Sequence, residues 1–147
     1  MKVILQKVKK ANVKVNSKII GSCSRGYCLL VGISNDFNID KMNWMIRKIL
    51  SLRCFEDNDS WGFTKNIEDI KGEILIISQF TLHARLNNGS KPDFSKSMKF
   101  EEAKKIFDKF VNELKSRSNL KIETGEFGAQ MEVEILNDGP FTLILEK

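Results

Sequence analysis

The spacing of apolar residues changes along this chain, and that change constrains the fold more than any other feature. Val3 and Leu5 alternate with Lys2, Ile4 and Gln6, Val13 and Val15 flank Lys14, and Tyr27–Ile33 is a nearly unbroken apolar run bounded by Gly26 and Ser34. A period of two marks half-buried strands. The joining turns fall at Asn16-Ser17 and Ser24-Arg25-Gly26. From Ile39 the period lengthens: Ile39, Met42, Met45 or Ile46, Ile49 and Leu50 recur at steps of three and four, a helix with Asp36 or Asn38 as candidate cap. Glu56–Trp61 reads as a surface turn, Glu73–Phe80 as a short apolar strand and Leu86–Ser97 as a mobile loop. A second helix runs from about Lys99 to Ser116, with Phe100, Ala103, Phe107, Phe110 and Leu114 as its core-facing stripe. Strands return near Leu120–Glu123, Gln130–Leu136 and Phe141–Leu145.

Strands at both ends with helices between predict a single α+β domain over residues 1–147, its sheet mostly antiparallel and its two main amphipathic helices packed outside. A chain of 147 residues with 41% hydrophobic and 29% charged residues closes one core of this kind. A mean hydropathy of −0.26 and apolar runs far short of the ~18 residues needed to span a bilayer argue against a membrane protein. Met1–Lys10 mixes lysines with its apolar residues and does not read as a secretory signal, so the expected location is cytoplasmic.

Composition also narrows the chemistry. Cys23, Cys28 and Cys54 cannot all pair with one another and match no zinc or redox spacing, so buried thiols are expected. His83 is the one histidine, which disfavours metal sites and two-imidazole mechanisms. The net charge of +5 is uneven: residues 1–35 carry seven cations and no acid, residues 83–117 nine cations against five acids, and residues 118–147 two against six. Such stretches suit a polyanion, and they equally suit a solvated lysine-rich surface.

Three stretches carry polar or unusual residues. In Ser78-Gln79-Phe80-Thr81-Leu82 an apolar strand ends in hydroxyl, amide and backbone donors, a pattern that fits either a strand terminus or a site. Ser78 and His83 lie five apart and in a strand would point to opposite faces, which argues against a Ser-His pair and leaves His83 a surface or rim residue. Asn137-Asp138-Gly139-Pro140-Phe141-Thr142 is either a common turn or a compact device, since Gly-Pro can adopt a cis bond and present rigid carbonyls. Thr124–Met131 sets Gly125, Gly128 and Ala129 around Phe127 and beside Met131. It is an ordinary loop, or a flat apolar slot for a base.

Taken together, Ser78–Leu82 and Asn137–Thr142, with Gly89–Phe94 and Gly125–Met131 at comparable separation, resemble the D-aminoacyl-tRNA deacylase family along the whole chain. The resemblance implies a barrel-like sheet and hydrolysis of the ester between a D-amino acid, or glycine, and the 3′-terminal adenosine of tRNA, with no metal and no cofactor. It implies that backbone N–H groups at Phe80 and its neighbours form an oxyanion hole, that Ser78 and Gln79 fix the substrate, and that Thr81 positions rather than attacks. It further implies a homodimer in which Gly139, Pro140 and Asn137 bind the substrate and reject L-amino acids, Gly139 and Pro140 being joined by a cis bond and inserted into the partner's site. Phe127, Gly128, Ala129 and Met131 match the family's adenosine pocket. Phe141 and Lys91 stand where Val and Arg are common in the family. A related family that removes L-alanine from tRNA, a nucleic-acid-binding module without turnover and a dimerisation domain are the alternatives.

Overall fold

One long strand organises the molecule. In the computed structural model, which describes residues 1–57, 60–86 and 89–147, β1 (Lys2–Val15) pairs along its whole length with β8 (Glu132–Glu146). Its other edge pairs first with β3 (Gly26–Gly32), through Lys2–Val8, and then with β2 (Lys18–Cys23), through Ala11–Val15. Asn16 and Ser17 make the two-residue β1–β2 turn with φ of 48° and 63°, the sense that matches strand twist. Asn58, Asp59, Asn87 and Asn88, parts of the expected turn and loop, lie outside the described residues, as do the side chains of Ser60 and Trp61.

All these pairings are antiparallel, and β6 (Glu73–Ser78) and β7 (Lys121–Thr124) then extend the sheet in parallel, in the order β2-β1-β3-β6-β7. Parallel neighbours need crossovers, and α1 (Ile39–Ser51) and α2 (Phe100–Ser116) lie within the two crossovers. β3 and β6 are buried on both faces, which is why their sequences run unbroken rather than alternating. Tyr27, Leu29, Ile74 and Ile76 meet Met45, Ile49, Phe107 and Phe110 from the helices on one side. Cys28, Leu75 and Ile77 join Val8, Ala11 and Val13 on the other. The path's ends meet: Ser22 N–H donates to Glu123 Oε2 at 2.7 Å, and a Cβ on Gly21 would lie 2.6 Å from the Thr124 carbonyl oxygen, so the sheet is a nearly closed barrel.

Several expected boundaries differ. Asn38 caps α1, accepting from the Lys41 N–H at 3.0 Å, whereas Asp36 binds Ser34 and the Lys41 ammonium instead. The expected turn at 56–61 belongs to a hairpin, β4 (Phe55–Asp57) and β5 (Ser60–Lys65). The strand from Glu73 stops at Ser78, and Phe80–His83 winds into a 3-10 turn. The two expected closing strands are one interrupted strand: Gln6 pairs with Thr142 and Val8 with Asn137, so residues 138–141 loop out of β8.

Part of the first basic stretch is neutralised by the acidic end of the chain across the β1–β8 ladder. Lys2 pairs with Glu146 at 3.3 Å and Lys14 with Glu134 at 2.6 Å. Lys7, unlike the surface lysine its neighbours suggest, is only 3% exposed. Its ammonium bonds both Glu56 carboxylate oxygens, at 3.0 and 3.1 Å, among the rings of Phe55, Phe63 and Phe141.

Candidate active site

The strand end at β6 opens into a cavity of about 510 Å³. Its floor is Val31, Ile33, Ile77 and Ser78, where β3 and β6 run out together, and one wall is Met98, Phe100 and Ala103 at the start of α2. Opposite stand Phe127, Gly128, Ala129 and Met131, so two of the three sequence stretches, 78–82 and 124–131, converge on one space. Among the described residues no lining side chain is an acid, a base or a thiol.

The slot around Phe127 depends on its glycines. Phe127 packs between Phe100 and Phe107, with ring centroids 5.2 and 5.4 Å away. Gly128 sits at φ +82°, and a Cβ there would lie 2.4 Å from the Phe100 ring. Gly125 likewise lets the Met131 sulfur approach to 2.5 Å of where its Cβ would stand. The flat apolar wall therefore depends on glycine at 128, where φ is positive, while a side chain at 125 would displace the Met131 thioether.

At the other side the 3-10 turn leaves donors free. Gln79 N–H is taken by the Val31 carbonyl at 2.8 Å, while among the described residues no protein acceptor takes the N–H of Phe80 or Thr81. Such orphan donors are expected at the first turn of a helix. The turn is fixed from behind by the Ser97 hydroxyl, which donates to the Phe80 carbonyl at 3.0 Å. Gln79 Nε2 donates to Thr81 Oγ1 at 2.5 Å, so the Thr81 hydroxyl is an acceptor for an amide and has no base beside it.

His83, expected as a surface or rim residue, is half-buried. It ends the 3-10 turn with Nε2 buried and unpartnered, and it lines a second cavity with Ser34 and Asp36. Burial pushes its pKa down from 6.5, with the N-terminal ammonium and Lys2 acting the same way and the Gly32 backbone and Glu146 opposing. Ser78 lines the first cavity and His83 the second, on either side of the point where β6 gives way to the 3-10 turn. The thiols are buried as expected, and burial raises Cys23 to about 11 and Cys28 to about 12, so neither is a nucleophile at neutral pH.

The third stretch is elsewhere. Gly139 and Pro140, joined by a cis bond with Gly139 at φ +141°, stand exposed on the loop out of β8 and do not line this cavity. Asn137 closes the loop's neck: the Phe141 N–H donates to its Oδ1 at 2.7 Å and its Nδ2 donates to the Phe141 carbonyl at 3.2 Å. Beside it Asp138 faces Lys7 and Lys9, each at 4.0 Å.

Sequence reasoning missed Val31, Ile33, Met98 and Ser97, and it assigned Phe100 to the core although it is 54% exposed at the cavity. Among the described residues no three His, Cys, Asp or Glu side chains cluster to hold a metal, and no helix is long and apolar enough to cross a membrane.

The chain is 48% identical over 147 residues to the D-aminoacyl-tRNA deacylase of Picosynechococcus sp., covering all of this chain and 97% of that one. It is 46% identical to the deacylase of Saccharomyces cerevisiae, covering 99% and 98%. A solved structure named c-Myc DNA Unwinding Element Binding Protein superposes with a TM-score of 0.95 at 40% identity, over 100% of this chain and 99% of the other. A probable eukaryotic D-amino acid tRNA deacylase, 17% identical with a TM-score of 0.83 over 98% and 97% of the chains, shares the fold. A family model described as D-Tyr-tRNA(Tyr) deacylase matches residues 4–146, and the chain belongs to that family.

Proposed function

We propose that the protein hydrolyses the ester between a D-amino acid and the 3′-terminal adenosine of tRNA. The observation that carries this reading is the pair of free N–H groups at Phe80 and Thr81, beside a cavity with no titratable side chain and a glycine-flattened apolar slot. The adenine lies against Phe127, Gly128, Ala129 and Met131, which leaves the ester at Ser78 and Gln79. Water adds to the carbonyl carbon, and the oxyanion that forms takes the free N–H groups. Collapse breaks the bond to the ribose 3′-oxygen, and the proton from water passes to that oxygen with the 2′-hydroxyl as relay. Preorganised donors of this kind are worth about 2.7–4 kcal/mol each, so no charged catalytic side chain is required.

Selection by hand follows from the loop out of β8. In a homodimer Gly139 and Pro140 enter the partner's cavity, their carbonyls hold the substrate's amino group, and an L side chain collides with them. Exclusion rather than recognition admits many D residues and also glycine. The exposure of Gly139 and Pro140 away from their own cavity, and of Leu136 and Ile144 on the same strand, supports a shared site. The direct test is release of D-tyrosine from D-tyrosyl-tRNA with the L ester left intact; no release at micromolar enzyme overturns the reading.

The name of the 40% identical structure favours a second reading, a nucleic-acid-binding module without turnover. That reading requires tight binding regardless of acylation and indifference to substitution at Ser78–Thr81, which filter binding measures.

A further inference from the structure

A polynucleotide substrate carries more than its terminal adenosine to the cavity mouth, and the mouth holds groups that the reading above leaves unused. Phe80 is 57% exposed, and its ring meets that of Phe94, 36% exposed, edge to face at 5.0 Å. Two large rings facing water beside a cavity form a surface suited to a flat apolar partner. Phe94 is held in place on both sides. Arg85 and Asp93 exchange backbone hydrogen bonds of 2.7 and 3.1 Å, and the Asp93 carboxylate accepts from the Ser95 N–H and hydroxyl. Further on, the Asn35 N–H donates to the Lys96 carbonyl, and the Met98 N–H to the Ile33 carbonyl. A ring presented this way needs little ordering when a partner arrives.

Charge identifies the partner. Residues 85–99 carry Arg85, Lys91, Lys96 and Lys99 against one acid, Asp93, which faces Arg85 at 4.0 Å. Lys91, Lys96 and Lys99 are exposed and pair with no carboxylate among the described residues. Of the N-terminal cations, Lys2 and Lys14 are matched across the β1–β8 ladder and Lys7 by Glu56, whereas in this segment unpaired positive charge and exposed aromatic rings coincide. That combination is how proteins hold single-stranded nucleic acid.

We propose that the Phe80–Phe94 pair is a stacking platform for the base of the nucleotide preceding the terminal adenosine, with Lys91, Lys96 and Lys99 neutralising the adjacent phosphates. The inference rests on the deacylase reading, and the test separates the two. D-Tyrosyl-adenosine and a D-tyrosyl trinucleotide ending in C-C-A are compared as substrates. Phe94→Ala loses about tenfold in kcat/KM on the trinucleotide, within the range of one base stacked on a ring, and keeps the wild-type rate on the adenosine ester. Phe94→Trp retains both activities. Equal loss on both esters makes Phe94 a support for Phe80 and overturns the platform, as does no loss on either. If the wild type cleaves neither ester, the deacylase reading fails instead. Replacing the three lysines by Gln flattens the salt dependence of the trinucleotide reaction, and an unchanged slope overturns their assignment.

Discussion

On the proposed mechanism the Phe80 N–H is the group with most at stake, a free donor on the edge of a cavity that no charged side chain lines among the described residues. Phe80→Pro deletes it and should lower kcat by about 10²–10³ or more, the loss expected for one oxyanion donor, with the melting curve checking that the fold persists. Thr81→Ala removes a hydroxyl that only accepts from Gln79, and a reduction far smaller than that of Phe80→Pro is expected in the same assay. His83 contributes differently. Its folded-state pKa lies below the 6.5 of the unfolded chain, so the unfolded state takes up the proton first. Its effect is therefore absent above about pH 6.5, and stability falls as pH drops below that value. A thermal-melt series should show a steeper decline below pH 6.5 for the wild type than for His83→Gln. These residue roles were only partly legible in sequence. The polar ending of the Ser78–Thr81 strand stood out, but whether its N–H groups were free depended on the chain leaving the sheet one residue after Ser78.

At the level of elements, the loop out of β8 is set by its neck. Asn137 substitutes for the missing ladder by bonding both the N–H and the carbonyl of Phe141. Asn137→Ala should loosen the Gly139–Pro140 projection and narrow the ratio of D- to L-tyrosyl-tRNA cleavage, measured as kcat/KM for each ester. Sheet packing is less forgiving at the β3–β6 pair, where a Cβ on Gly26 would lie 1.9 Å from the Glu73 carbonyl oxygen. Gly26→Ala must push backbone from backbone and should cost about 3 kcal/mol in denaturant unfolding, the upper end for overpacking. The two helices were readable because each carries its own apolar period. The β4–β5 hairpin was not, since Glu56–Trp61 has the composition of a turn. Nor was the continuity of β8, because Asp138-Gly139-Pro140 looks the same whether it ends a strand or interrupts one.

For the whole molecule, charge had to be read across the sheet. Lys2 and Lys14 meet Glu146 and Glu134 only once β1 and β8 pair, and the parallel crossovers and sheet closure likewise emerge only from long-range pairing. If two chains share each site, Phe80→Pro and a deletion of residues 138–140, each inactive alone, should regain activity when unfolded and refolded together. Persistent inactivity of the mixture would place the loop's role within its own chain. The uncharged lining has a pharmacological corollary. Among the described residues that line the cavity there is no thiol and no amine, and the Thr81 hydroxyl beside it has no base to activate it, so an electrophilic warhead finds no ready nucleophile there. On the proposed mechanism an effective blocker must instead mimic the shape and the one negative oxygen of the adduct formed when water adds, for example as a non-hydrolysable phosphonate of the nucleoside.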